Sequence, residues 1–195
     1  MNLLIDRCPE LVDIEGETYP IRSDYRTSIL FELTMSNPKL SESQKVSLAL
    51  RLYYERLPED TKGIARAFSS AVKFYNLGKS IERDDTDRDG NNVNNKKIFS
   101  FEHDDKYIYT SFLSAYNIDL TEKRDLHWWK FKTLLDNLPE DTIMKKVINI
   151  RSSKINSKSS REEKKRMMEL KKIYQLPMDV EEKSEEFNNA LSGMF

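Results

Sequence analysis

Between Asp125 and Leu138 the chain reads DLHWWKFKTLLDNL, which holds both of its tryptophans and one of its two histidines. At about 100° per residue, His127, Trp128, Phe131, Leu134, Leu135 and Leu138 share one arc of a helix roughly 100° wide. Lys130, Lys132, Thr133, Asp136 and Asn137 lie outside that arc. Such a stripe is the signature of an amphipathic helix laid against a core. Trp128 belongs to the buried face. Trp129 points the other way, with Leu126 three positions behind it on the same side. It either packs beneath another element or anchors a partner, a role in which tryptophan is favoured.

The rest of the chain supports a mainly α fold around this helix. A small N-terminal β-hairpin is expected, Leu11–Ile14 and Glu17–Ile21 about a Glu15-Gly16 turn. A bundle of six to eight helices comes after it. Helical spacing begins at Ser23–Met35. Ser41-Glu42-Ser43-Gln44 fits a capping box ahead of Val46, Ala49, Leu50, Tyr53 and Leu57. Ile64, Phe68, Val72 and Tyr75 mark a third helix. Further helices are expected over His103–Ser114, Thr121–Leu138, Thr142–Arg151 and Ser160–Gln175. LPEDT occurs twice, at Leu57–Thr61 and Leu138–Thr142. In each, leucine is expected to close a core face, and proline to stop one helix and start the next. Independent helix hairpins are favoured over an ancestral duplication.

At 195 residues, with 33% charged and 38% hydrophobic residues, the chain reads as one domain spanning 1–195. Its parts are a β element (1–22), a helical body (23–77 and 102–176), a mobile acidic loop (78–98) and a tail (178–195) that is flexible or docks. Five glycines and six prolines are few, which favours helices. No run approaches the roughly 18 apolar residues of a membrane span. The start MNLLIDRCPE lacks the pattern of a signal peptide. With Cys8 as the single cysteine, a cytosolic location is expected.

Chemistry is poorly represented. Asp85, Asp87, Asp89 and Gly90 match the opening of a calcium-binding loop. The twelfth position, which should supply a bidentate glutamate, is Lys96. A solvated acidic loop is the favoured account, with weak divalent binding left open. His103 and His127 have no second ligand at metal spacing. Glu102-His103-Asp104-Asp105 reads as a helix start. There is no phosphate loop, nucleophile motif or HExxH, so no enzyme, cofactor or metal is expected. A basic stretch comprises Lys145, Lys146, Arg151, Lys154, Lys158, Arg161, Lys164, Lys165, Arg166, Lys171 and Lys172, against Glu162, Glu163 and Glu169. It is able to neutralise phosphates. The acidic tail beyond it, with Asp179, Glu181, Glu182, Glu185 and Glu186, could equally pair with it, and a solvated face is favoured. That tail ends in Phe187, Leu191 and Phe195, four apart.

The run from Tyr107 to Thr142 resembles the phage family catalogued as gene product fifteen. Its marks are the aromatic helix Tyr107–Tyr116, the link Ile118-Asp119-Leu120 and the block His127-Trp128-Trp129-Lys130-Phe131. Asp24-Tyr25-Arg26-Thr27, Ile150-Arg151-Ser152 and Ile173-Tyr174 are similar too, although the family usually has phenylalanine where this chain has Tyr25. The acidic loop after Gly78 matches no family pattern. The resemblance implies a gene between the major tail protein and the tape measure protein of a long-tailed phage. It further implies a non-catalytic tail assembly chaperone that coats the tape measure protein in the host cell cytoplasm. A companion chaperone and self-association are further partners to consider. Leu126, Trp129, Phe187, Leu191 and Phe195 are the candidate anchors. A structural or connector protein of the virion, and a nucleic-acid binder using 145–172, are the alternatives.

Overall fold

Glu15 and Gly16 both adopt positive φ, 58° and 87°, the backbone of a two-residue hairpin turn whose twist suits antiparallel strands. They join β1 (Leu11–Ile14) to β2 (Glu17–Pro20), with Val12 opposite Tyr19. The structure, a computed structural model, describes residues 2–79, 98–123, 125–154 and 160–177. Among the described residues the hairpin is followed by seven helices, so the chain is mainly α as expected. Most of the proposed mobile loop, including the calcium-loop-like Asp85–Lys96, lies outside the described residues. So do Lys158 and the tail with Phe187, Leu191 and Phe195.

The first three helices are α1 (Tyr25–Met35), α2 (Glu42–Tyr53) and α3 (Thr61–Tyr75). Ser41 completes the expected capping box, accepting from the Gln44 backbone N–H while the Gln44 side chain accepts from its own. The second set is α4 (Asp105–Tyr116), α5 (Trp128–Asp136), α6 (Ile143–Ser152) and α7 (Arg161–Tyr174). Helix α1 packs on α2 and α5, α2 on α3, α3 on β1, α4 on α6, and α6 on α7.

Three boundaries differ from the sequence reading. Helix α5 starts at Trp128 rather than Thr121, because Asp24 and His127 pair as an antiparallel β-bridge. The Tyr25 N–H donates to the Leu126 carbonyl (3.0 Å) and the Trp128 N–H to the Ser23 carbonyl (2.7 Å). The backbone before Trp128 is thereby committed to pairing and unavailable for a helix. Neither LPEDT proline opens a helix: α3 starts three residues after Pro58 and α6 four after Pro139. After α2 the chain is already extended at Tyr54, whose buried hydroxyl donates to the Ala67 carbonyl (2.9 Å). Asp60 caps α3, accepting from the Gly63 N–H (2.9 Å). Thr142 makes no cap bond. There the Met144 N–H donates to the buried Ser111 hydroxyl of α4 instead (3.0 Å).

Asp104, at the start of α4, also departs from a simple cap. Its carboxylate accepts from the Ser100 N–H (2.9 Å) and from both Arg151 amino groups (2.6 and 2.8 Å). Arg151 donates further to the Tyr174 carbonyl at the end of α7 (2.6 Å). Both side chains are removed from water. A fork-on-fork pair of this kind is costly to break because the surviving charge is left buried. Asp104→Ala is expected to lower unfolding stability in urea by about 3–5 kcal/mol and to loosen α7.

Candidate partner-binding groove

Asp24 sets the start of α1: its carboxylate accepts from the Thr27 N–H (3.1 Å) and the Thr27 hydroxyl (2.6 Å). The cap aims the next two side chains into the space between α1 and α4. Tyr25 is buried, stacked on Phe131 of α5 with ring centres 4.8 Å apart. Phe131 in turn stacks on Phe112 of α4 at 4.9 Å. The Tyr25 hydroxyl donates to the Leu120 carbonyl (2.5 Å). Arg26 donates to the same carbonyl (2.7 Å) and lies over the Tyr25 ring at 4.9 Å. Asp119 organises this link by accepting from the Thr121 hydroxyl (2.6 Å) and N–H (2.8 Å). The Thr121 hydroxyl, more than any other group, holds the Asp119 carboxyl below its usual range. Asp119 also accepts from the Tyr109 hydroxyl (3.2 Å). Desolvation, then the Asp119 charge, raise the Tyr109 phenol.

The result is a groove of about 810 Å³ between α1 and α4, with an apolar floor of Tyr25, Phe101, Ile108 and Phe131. Arg26 and Ile29 form one wall, Lys106, Tyr109 and Thr110 the other, and Leu120–Thr121 the end. Of the wall positions, Lys106 and Thr110 are exposed and Ile29 is half-buried. An apolar trough between two helices with charges on its lips suits an amphipathic helix.

The candidate anchors of the tryptophan helix are not on this surface. Trp129 is 8% exposed and Leu126 is 6% exposed, which corrects the reading of both as open anchors. Trp129 takes the other course left open, packing beneath α3. Its indole N–H donates to the Phe74 carbonyl (2.9 Å), and the Trp128 indole donates to the neighbouring Tyr75 carbonyl (2.8 Å). These carbonyls end α3, and the Phe74 carbonyl also accepts from the Leu77 N–H (3.1 Å). Gly78, at φ 81°, lets the chain turn closely over Trp129, since a Cβ there would sit 3.1 Å from its ring.

His127 is buried as expected, but as the residue that precedes and caps α5. Nδ1 accepts from the Trp129 N–H (3.0 Å), and Nε2 lies 3.0 Å from the Pro9 carbonyl. A carbonyl only accepts, so Nε2 carries the proton and the ring is neutral. Burial, above all, lowers its affinity for a second proton.

The basic stretch is divided by the fold. Arg151 is withdrawn into its pair with Asp104, and the Lys171 ammonium donates to the Arg151 carbonyl (3.2 Å). Lys145 lies 3.6 Å from Glu140. Lys146, Lys154, Arg161, Lys165, Arg166 and Lys172 are exposed and Lys164 is half-buried. The structure also exposes an apolar N-terminal turn unmarked in the sequence reading, with Leu4 95% exposed. No helix among the described residues is long and apolar enough to cross a membrane.

These features define a helical protein with a preformed apolar groove. The family model described as Bacteriophage Gp15 protein matches residues 4–176, and the chain belongs to that phage family. No curated protein and no solved structure matches it. The blocks that carry the resemblance meet in space. Asp24 pairs with His127, and Tyr25 and Arg26 reach the Leu120 carbonyl. Phe131 and Leu120 line the same groove, and Arg151 holds Tyr174.

Two outcomes test the tryptophan helix. Trp129→Ala is expected to cost about 3–5 kcal/mol of unfolding stability, so it reports on folding before it reports on any partner. The second outcome concerns pH. Because the folded His127 takes up its second proton less readily than the unfolded one, its contribution is complete above about pH 6.5 and declines as pH falls below that. His127→Asn keeps a capping acceptor without the titration. The fall in Tm between pH 7.5 and pH 5.5 is expected to be smaller in His127→Asn than in the parent.

Proposed function

We propose that this protein is a non-catalytic tail assembly chaperone that binds the phage tape measure protein during tail formation. In this reading it holds an amphipathic helix of that protein in the α1/α4 groove. The observation that carries the reading is the groove itself: apolar on its floor, charged at Arg26, Asp105 and Lys106, and lined on both sides by helices. A client that is long and helical presents apolar residues at i, i+3, i+4 and i+7, which is the pattern such a trough accepts. Membership of the phage family supports a role in building the particle. The absence of any catalytic motif from the sequence is in keeping with binding rather than turnover.

The working location is the host cytoplasm, where the tape measure protein would be coated until tail-tube subunits displace the chaperone. A companion chaperone could share the client, which is too long for one small protein to cover. Charged lips, together with an apolar floor, favour reversible association over a permanent interface.

Co-expression with the tape measure protein, followed by pull-down, tests this. Lys106→Asp with Thr110→Asp places two acids on exposed wall positions of α4 while leaving the buried floor intact. Recovery of the tape measure protein is expected to drop at least about tenfold, a loss of roughly 1.4 kcal/mol, with the circular dichroism of the variant unchanged. Unchanged capture would remove the groove from the interface. Mass spectrometry that finds the protein in purified virions would favour a structural or connector role instead.

A further inference from the structure

Arg26 is a half-buried cation on the wall of the groove, and no carboxylate among the described residues lies within ion-pairing distance of it. Asp24 and Asp119, the acids of the two turns that meet here, are committed elsewhere. Asp24 accepts from Thr27, and Asp119 accepts from Thr121 and Tyr109. Asp105 lines the same groove from α4 but is exposed and does not reach the guanidinium. A charge partly withdrawn from water is costly unless an opposite charge or a full set of acceptors meets it.

The guanidinium is also fixed in place. Nη2 donates to the Leu120 carbonyl (2.7 Å) and to the Thr121 carbonyl (3.3 Å), and Cζ lies 4.9 Å from the centre of the Tyr25 ring. The Leu120 carbonyl is itself held by the Tyr25 hydroxyl. The N–H groups on Nε and Nη1 have no acceptor among the described residues. One edge of the fork is therefore anchored, and the remaining donors await a partner whose capture costs little further side-chain entropy. A carboxylate matches such donors in charge and in planar geometry, and bonds of this kind are about twice as strong as neutral ones. Lys106 adds a second cation on the α4 side, but it is exposed, where an ion pair is worth less.

Given the groove as the client site proposed above, we propose that Arg26 is its specificity-determining contact and pairs with an Asp or Glu carboxylate flanking the apolar stripe of the client helix. The apolar floor of Tyr25, Ile108 and Phe131 accepts any amphipathic helix of suitable size. Arg26 narrows that choice. A helix without an acid at the matching position seals the guanidinium away from water unpaired, and is disfavoured for that reason. The same contact sets the register, because a helix that slides by one turn moves its carboxylate out of reach of a side chain that is already anchored.

The full chain is titrated with overlapping helix-length peptides of the tape measure protein. Those that bind are remade with each Asp or Glu changed in turn to Asn or Gln. One such change is expected to weaken binding at least about tenfold, as the loss of a charge-assisted contact does. Arg26→Gln is expected to weaken the unaltered peptide by the same factor and the amide peptide no further, as a coupled pair requires. Arg26→Lys keeps the charge without the fork and is expected to fall between the two. The Tyr25 hydroxyl still holds the Leu120 carbonyl in both variants, and thermal unfolding checks that each retains the fold. Binding that survives every acid-to-amide change overturns the proposal with no variant needed. So do equal affinities in Arg26→Gln and the parent, or losses that multiply. Peptide binding that falls with Lys106→Asp and Thr110→Asp but ignores Arg26 leaves the groove as the client site and removes only the pairing. No bound peptide, or binding indifferent to both sets of changes, removes the groove and the pairing together.

Discussion

The C-terminus of α3 is closed by two indole N–H groups from another helix. Trp128 donates to the Tyr75 carbonyl and Trp129 to the Phe74 carbonyl, the latter also accepting from the Leu77 N–H of the turn that follows (3.1 Å). This adjacent pair does two jobs at once. Its rings fill the space between α3 and α5, and its polar edges remove the cost of burying a helix end. With α5 held there, the pairing of Asp24 with His127 fixes the start of α1, and Tyr25 falls onto Phe131. The groove floor is thus a consequence of how the tryptophans dock.

The same device recurs through the molecule. Arg22 donates to the Arg51 and Leu52 carbonyls near the end of α2. Tyr116 donates to Leu134 and Asn137 carbonyls at the end of α5. Ser111 receives the Met144 N–H at the start of α6, and Arg151 holds the end of α7. Helices closed by one another lose their caps together when one moves. For that reason the family-like blocks at Asp24–Thr27, His127–Phe131 and Ile150–Ser152 read as architecture, with the groove as the surface they jointly produce.

Much of the architecture was legible along the chain. The hairpin turn, the capping box at Ser41 and the presence of α3 depend on neighbours within four residues, so local pattern suffices. The buried face of α3, however, is Gly63, Ala67, Ala71 and Phe74, one position before the half-buried Ile64, Phe68, Val72 and Tyr75. The candidate site was legible only in fragments. Tyr25 and Arg26 were visible as part of the family-like step, as were Asp119 and Leu120, yet nothing in their spacing brings residues some 95 positions apart to one carbonyl. Trp129 reads in the sequence as facing away from Trp128 among polar residues, whereas both indoles reach the same end of α3, a neighbour remote in sequence. Arg151 likewise counted as one charge in a basic run until Asp104 claimed it.

The sequence by itself determined that the chain is mainly helical, that one helix carries both of its tryptophans, and that its charges are unevenly distributed. Those properties arise from periodicity and composition, which are local. Only the tertiary structure decided where helix α5 begins, which tryptophan face is covered, which arginine is withdrawn from the surface, and where an apolar groove stays open. Each of those outcomes depends on a hydrogen bond or a ring contact between distant segments. Such contacts exist only once the competing helix ends, with their unpaired N–H and carbonyl groups, have found one another.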